Sequence, residues 1–361
     1  MKKAEHSFAF LQKRVSLMDL VTLLLFFTIA TVFLFDFTNG FHDSADMVAT
    51  AIASRAMSAE RAIVIVSIFT FLGPLIMGVA VADTVGTFVE IKGIDAIRAE
   101  ALVIAALLAA VTFNIITWLF GLPSSTSNSL AGGLVGAGLF VVGSQKINWG
   151  IEALSQGHLE GLSKVIAGLF LSPLFGFIVG FILLKLILAV FRHFTIKIRR
   201  FFIVTQYFTV AWLGFSHGAN DAQKGMAIIG MMLLASHHTS HFTVPFWVIL
   251  YCSSAITIGT MFGGWSIIKT LGFELFEVKL IHSVADQIGA SLINTIATHI
   301  GAPTSTTQVV TATLLGVGAA QKPSHVGWKR AAQIVTGWLV NVPTSMLFGA
   351  GYAYLLLEVL K

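Results

Sequence analysis

Two ionisable clusters interrupt stretches that otherwise read as lipid-embedded. The first, Phe37-Thr38-Asn39-Gly40-Phe41-His42-Asp43-Ser44-Ala45-Asp46, lies inside the apolar run from Asp19 to Ala53. The second, Phe215-Ser216-His217-Gly218-Ala219-Asn220-Asp221-Ala222-Gln223-Lys224, lies inside an equally apolar run from Phe201 to Ala235. A charge near the bilayer centre costs about 2.5–3.5 kcal/mol on insertion scales, so such groups point to a site. Both clusters share the pattern Gly-x-(His/Asn)-Asp. Any fold this chain adopts must therefore supply polar company for a buried aspartate twice.

The runs are part of a general excess. Of 361 residues, 56% are hydrophobic and 11% charged, and the mean hydropathy is +0.87. No soluble domain sustains this over such a length, which leaves an all-α polytopic membrane protein. The net charge of +5 is scattered; it bears on membrane orientation and gives no sign of a nucleic-acid partner. Cys252 is the single cysteine, which excludes a disulfide framework and a cysteine metal site. Lys2, Lys3, Lys13 and Arg14 precede the first apolar run, and no small-residue cleavage site follows a short apolar core. The first run is accordingly read as retained.

Apolar elements are expected at Asp19–Ala53, Arg61–Ala82, Glu100–Phe120, Pro123–Gly143 and Ser163–Phe191, then at Phe201–Ala235, Val244–Lys269, His282–Ile300, Pro303–Ala320 and Arg330–Leu357. The halves match at an offset of 178 to 180 residues: Asp43 with Asp221, Asn114 with Asn294, Gly121-Leu122-Pro123-Ser124-Ser125-Thr126-Ser127 with Gly301-Ala302-Pro303-Thr304-Ser305-Thr306-Thr307, Gly136-Ala137-Gly138 with Gly316-Val317-Gly318, and Trp149 with Trp328. Several matches in one order at nearly one offset indicate duplication. The expected organisation is a first transmembrane repeat at 1–191, a basic cytoplasmic connector at 192–200 and a second repeat at 201–361.

If each element crosses once, Arg55, Arg61, the connector, Lys269, Lys279, Lys322, Lys329 and Arg330 share one side. The other side holds Lys92, Arg98, Lys146 and Lys164 diluted by acids, together with His237, His238 and His241. The basic side is read as cytoplasmic, at the cost of placing the N-terminal lysines outside. An odd number of crossings per half makes the repeats inverted, with a site at their interface near the midplane. Re-entry of Pro123–Gly143 would require one further crossing elsewhere.

Gly40, Gly218, Pro123 and Pro303 are expected to break helices, each break exposing a helix start that favours an anion. Ser124, Ser125, Thr126 and Ser127 follow one proline, and Thr304, Ser305, Thr306 and Thr307 the other. Hydroxyls with helix-start amides form a cradle for a tetrahedral oxyanion; the plainer reading is proline-led starts with hydroxyl caps. Asp43 and Asp221 repel such an anion unless cations join it, so coupling to sodium, protons or a metal follows. The alternative for the aspartates is a hydrogen-bonded structural break. His42 either titrates or braces the motif, with bracing preferred because its counterpart Asn220 cannot titrate. Asn114 and Asn294 either line the pocket or hold helices together. Lys224 pairs with Asp221 or touches the anion. Lys185 snorkels, Asp83 and Asp286 read as interfacial, and the three loop histidines read as a polar loop more than a metal cluster.

With Asn39-Gly40-Phe41-His42-Asp43-Ser44-Ala45-Asp46, Gly218-Ala219-Asn220-Asp221-Ala222-Gln223-Lys224 and the two Gly-x-Pro-(Ser/Thr)-Ser-Thr segments in view, the chain resembles the inorganic phosphate transporter (PiT) family of bacterial phosphate permeases and sodium-coupled relatives. The resemblance implies a cation-coupled phosphate symporter of the inner (plasma) membrane, with inverted repeats, hairpin-like Pro-Ser-Thr segments, alternating access and a scaffold that often forms a homodimer. It implies that Asp43 and Asp221 are the family's aspartates, and Ser125, Thr126, Ser305 and Thr306 its phosphate-cradling hydroxyls. Asp46 departs from the asparagine of many relatives, and Thr70 from the glutamate of sodium-coupled animal ones. Some relatives move sulfate.

The expected substrate set is thus Ser124, Ser125, Thr126, Ser127, Thr304, Ser305, Thr306, Thr307, Asp43, Asp221, His42 and Asn220. The coupling-cation set is Asp43, Asp221, Asn39, Asp46, Asn114 and Asn294. No cofactor or resident metal is expected beyond the co-transported Na+ or H+. A channel or non-transporting membrane protein is the competing class. An enzyme is not supported, since neither a His-Glu-x-x-His nor a Gly-x-Ser-x-Gly motif occurs.

Overall fold

The computed structural model describes residues 2–87, 89–91, 93–192, 198–263 and 268–360, with side chains from Leu20 onward. Most of the connector, residues 193–197, lies outside the described residues, as do Lys92 and the side chains of Lys2, Lys3, Lys13 and Arg14. Twelve helices are used below: α1 (Lys2–Ala53), α2 (Ala59–Met77), α3 (Ala80–Gly86), α4 (Ala96–Leu119), α5 (Thr126–Val141), α6 (Ile151–Ser155), α7 (Gly161–Phe191), α8 (Arg199–Ala235), α9 (Phe246–Phe262), α10 (Leu280–His299), α11 (Thr306–Gln321) and α12 (Trp328–Val359). Five of them contain stretches long and apolar enough to cross a membrane: Leu20–Ala53 of α1, and α2, α4, α7 and α12.

Proline and glycine behave differently in this chain. Pro123 and Pro303 break the helix as expected, although Pro74, Pro173 and Pro343 lie inside α2, α7 and α12: α4 ends at Leu119, Pro123 lies in non-helical backbone, and α5 starts at Thr126, while Pro303 precedes α11 in the same way. The expected breaks at Gly40 and Gly218 are not found, because α1 and α8 run unbroken through both. One glycine costs a helix only about 1 kcal/mol relative to alanine, and here packing outweighs it. A Cβ on Gly40 would collide with the Ile256 carbonyl of α9, and one on Gly218 with the Thr70 carbonyl of α2. Both glycines mark crossings where small residues let helix backbones touch.

Neighbouring elements fix the path. Thr28 on α1 donates to Glu100 at the start of α4 at 2.5 Å, whereas Thr126 at the start of α5 reaches Asn39 at 2.6 Å. Helix α4 therefore descends alongside α1 and turns near the depth of Asn39, and α5 climbs back. The antiparallel bridge between Val89 and Ile147 closes this hairpin at its base. In the second half α10 and α11 form the equivalent hairpin, closed where Gly327 N donates to Leu275 O at 2.8 Å. The Pro-Ser-Thr segments thus form the turns of two hairpins, as the re-entrant alternative to one crossing per element requires. With the hairpins set aside, each half has three helical units left to cross: α1, α2 with α3, and α7 in one, and α8, α9 with the turn at Thr270–Glu274, and α12 in the other. Three is odd, so the halves are inverted, and a hairpin returns the chain to its own side, so the basic residues keep the grouping given above.

The halves also exchange partners. Helix α1 packs on α9, α2 on α8, α5 on α12 and α7 on α11, each pair uniting different halves. Small residues sit at these seams: Gly136 faces Met346, Gly316 faces Phe177, and Gly259 faces Phe37. The matched tryptophans play one local role, Trp149 donating to Ser144 O and Trp328 to Pro323 O, each at 2.9 Å.

Candidate functional site

The two hairpin tips meet halfway along α1 and α8. Ser127 Oγ donates to the Thr304 carbonyl at 2.7 Å, so the hydroxyl clusters of the two halves touch. The central aspartates lie against them. Thr307 Oγ1 lies 2.9 Å from Asp43 Oδ1 and 2.5 Å from Asp46 Oδ2, with one proton to donate to either, and Thr306 donates to Asp221 Oδ1 at 3.4 Å. Asn39 joins the halves, donating to Asp221 Oδ2 at 3.2 Å and accepting from Thr126. Ligand atoms of Asp43, His217 and Asp221 lie within 4.8 Å of one another, as do those of His42, Asp43 and Asp46. Every one of these residues is buried. Helices α5 and α11 both start here, so two sets of first-turn amides and two positive dipole ends converge on one point.

Lys224 resolves one open alternative by pairing with Asp221 at 2.8 Å. Its ammonium also donates to Ser127 Oγ and, at 2.9 Å, to the Thr304 carbonyl, tying both tips to α8. His42 Nδ1 lies 3.3 Å from Asp43 Oδ1, the geometry of a brace.

Several expected site residues serve the scaffold. Ser125 and Ser305 cap α5 and α11, accepting from Asn128 N at 3.0 Å and Gln308 N at 3.3 Å, the contacts that the plainer capping reading expects. Ser124 contacts Asn341 of α12 at 3.4 Å. Asn220 clamps the second tip: Oδ1 accepts from Thr304 N at 3.0 Å, and Nδ2 donates to Thr298 Oγ1 at 2.9 Å and Ala302 O at 3.2 Å. Asn294 joins the centre by bonding Thr304 and Thr306. Asn114 does not; its amide has no hydrogen-bond partner among the described residues and borders a small pocket with Phe37, His42 and Trp118. Thr70 donates to the Gly214 carbonyl at 3.3 Å. Asp83 is exposed as expected, but Asp286 is fully buried and not interfacial.

Sequence reasoning missed His217 and the extent of the polar seam on α1. His217 stands four residues before Asp221, as Asn39 stands before Asp43, and its Nδ1 lies 3.1 Å from Thr306 Oγ1. Asp36, Asn39, Asp43, Asp46 and Thr50 recur at steps of three and four, the spacing of one helix face, and all are buried. That periodicity was available in the sequence.

A helical membrane protein of two inverted halves, with re-entrant hairpin tips meeting at buried aspartates, is the class that fold and site define. Within it, the chain belongs to the phosphate transporter family, whose profile matches residues 39–349. It is 37% identical over 324 residues to a probable low-affinity inorganic phosphate transporter of Rhizobium meliloti (strain 1021), covering 89% of this chain and 93% of that one. A probable low-affinity inorganic phosphate transporter of Bacillus subtilis (strain 168) is 35% identical over 350 residues, covering 95% of this chain and all of that one. Among solved structures, one described as the sodium-dependent phosphate transporter superposes with a TM-score of 0.80 at 23% identity, over 93% of this chain and 99% of that chain. The family and these relatives are transporters and not enzymes. The protein is a multi-pass membrane protein, a class that in bacteria resides in the inner membrane.

Proposed function

We propose that the protein carries inorganic phosphate into the cell together with sodium ions or protons, by alternating access. The observation that carries this reading is the meeting of Asp43 and Asp221 with Thr307 and Thr306 where the two hairpin tips touch. In this reading the first-turn amides of α5 and α11, with the hydroxyls of Thr126, Ser127, Thr306 and Thr307, hold the phosphate oxygens. Ser124, Ser125, Thr304, Ser305, Asn220 and Asn294 hold the tips in place, and His42 orients Asp43.

Charge supports coupling. Two carboxylates within 4.8 Å of each other repel by at least about 3 kcal/mol at an effective dielectric near 20, and a phosphate dianion adds to that. Lys224 offsets Asp221. Asp43 has only the His42 imidazole beside it, and no lysine or arginine among the described residues pairs with Asp43 or Asp46, so a cation among Asp43, Asp46, Asp221 and Asn39 completes the site in its loaded form. We assign the repeats to 1–191 and 201–361, joined by the cytoplasmic connector 192–200. Inversion lets the two hairpin-bearing bundles rock about the shared centre, opening it to one side at a time. A homodimer belongs to the same proposal.

Uptake of labelled phosphate into proteoliposomes, under a sodium gradient and then a proton gradient, tests the reading, with sulfate and arsenate as competitors. Gradient-driven phosphate uptake is expected, and it should be lost in Asp43→Asn. Sulfate competing as well as phosphate would reassign the substrate, whereas flux indifferent to both gradients would identify a channel.

A further inference from the structure

Asp36 is a buried acid to which the transport reading gives no task. It stands on α1 one turn before Asn39, fully buried, and neither carboxyl oxygen has a hydrogen-bond partner among the described residues. On one side the carboxyl packs on the backbone of α8 at Gly225, where a Cβ would collide with both of its oxygens. Helix α8 runs unbroken there, so its amides are spent on its own hydrogen bonds and offer the carboxyl nothing. Against another side lies the thiol of Cys252 on α9, a weak donor. The charged groups close enough to act on Asp36 are Asp221 and Lys224, and Lys224 is the residue just before Gly225.

Two acids, Asp36 and Asp221, thus flank one ammonium. In this structure Asp221 holds it at 2.8 Å and also receives bonds from Asn39 and Thr306, while none of the ion pairs among the described residues includes Asp36. We propose that Lys224 exchanges partners, leaving Asp221 for Asp36 when a sodium ion occupies the Asp43–Asp221 centre, and that Asp36 is the positioning residue that receives it. This rests on the reading of the protein as a cation-coupled transporter. Charge sets the direction. A cation on Asp221 replaces attraction by repulsion for the ammonium, in surroundings that screen poorly, while a buried carboxyl without a counter-charge waits beside the next residue of α8. With sodium on Asp221 and the ammonium on Asp36 both acids are paired, whereas the empty protein has one ammonium for the two.

The exchange reaches the hairpin tips because the same ammonium fastens them. Lys224 donates to Ser127 Oγ of the first tip and, at 2.9 Å, to the Thr304 carbonyl of the second. Once it turns to Asp36 both bonds are gone, and of these ties the direct bond from Ser127 to Thr304 is what remains. Sodium binding is thereby converted into freedom for the tips to part, the movement that alternating access requires. The Ser127 hydroxyl is relieved of the ammonium in the same step and can turn to phosphate.

Asp36→Asn removes the destination and leaves in place every contact of Lys224 described above. Labelled phosphate should bind the purified variant within about twofold of wild type, yet uptake into proteoliposomes should fall at least about thirtyfold, a loss in turnover and not in binding. Its melting temperature should not drop, because a buried charge has been removed and no hydrogen bond with it. Hydrogen exchange read by mass spectrometry checks the step without transport: sodium should speed exchange in the peptides carrying Ser127 and Thr304 of the wild type and leave those of Asp36→Asn unchanged. Uptake by Asp36→Asn at the wild-type rate would overturn the proposal, as would tip exchange that sodium alters equally in both proteins or in neither. A variant that melts early and binds no phosphate would make Asp36 a structural group and overturn it too. Sodium-dependent loosening abolished by Asp36→Asn, in a wild type that moves no phosphate, sinks the transport reading alone; driven uptake that Asp36→Asn leaves intact sinks the exchange alone.

Discussion

Three residues beyond each central aspartate, the two halves of the molecule differ. Asp46 and Lys224 occupy matched places, and each reaches the last hydroxyl of the tip belonging to the other half: Asp46 meets Thr307, and Lys224 meets Ser127. The scaffold treats them alike, but their charges are opposite. Lys224 neutralises its neighbour Asp221 at 2.8 Å, while Asp46 adds a second acid beside Asp43. Inversion therefore provides two equivalent locations, and side-chain choice makes one half self-neutralising and leaves the other to recruit its positive charge from solution. The residues just before the aspartates diverge too. Asn220 grips the backbone of its own tip, whereas His42 turns to Asp43.

The largest effect should come from erasing that contrast. Lys224→Met leaves buried Asp221 without its counter-charge and frees both tips, so it should cost about 3–5 kcal/mol, read as a lowered melting temperature in detergent, with phosphate uptake abolished. Next, Asn220→Leu strips the second tip of three hydrogen bonds and should cost about 2–3 kcal/mol, while His42→Leu costs less. Equal losses for the two would remove the distinction drawn between clamp and brace. Gly40→Ala and Gly218→Ala probe what the halves share; each forces a methyl into a neighbouring carbonyl and should cost about 1–3 kcal/mol. Similar melting shifts are expected, and a harmless Gly218→Ala would argue against the crossing it marks. The smallest effect belongs to the caps. Ser125→Ala and Ser305→Ala should each cost about 1 kcal/mol with uptake kept, and complete loss of uptake in either would make that serine a ligand.

How much of this was legible in the sequence depended on residue type. Proline lacks an N–H and crowds the preceding turn, yet Pro74, Pro173 and Pro343 sit inside helices, so what marked both tips was proline followed by a run of hydroxyl residues at Pro123 and Pro303. Glycine carries two meanings. It loosens a helix and also admits a neighbour, and only the positions of Ile256 and Thr70 decide between these for Gly40 and Gly218. Apolar length does not separate a crossing from a descent and return, so α4–α5 and α10–α11 read as crossings until Glu100 and Thr126 were both seen to contact α1. Asn294 and Asn114 match in sequence, yet only Asn294 reaches the hydroxyls. Asp286 was misread because its surroundings come from α1, far away in the chain, and local hydropathy carries no information about them.

The exchange of helix partners has a consequence for how such a chain comes into being. When α7 leaves the ribosome, the glycine notches of α1 and α5 still await α9 and α12. The early half must wait in the bilayer with its grooves filled by lipid until the later half arrives to displace it. Synthesis is sequential here, but assembly is held back to the end.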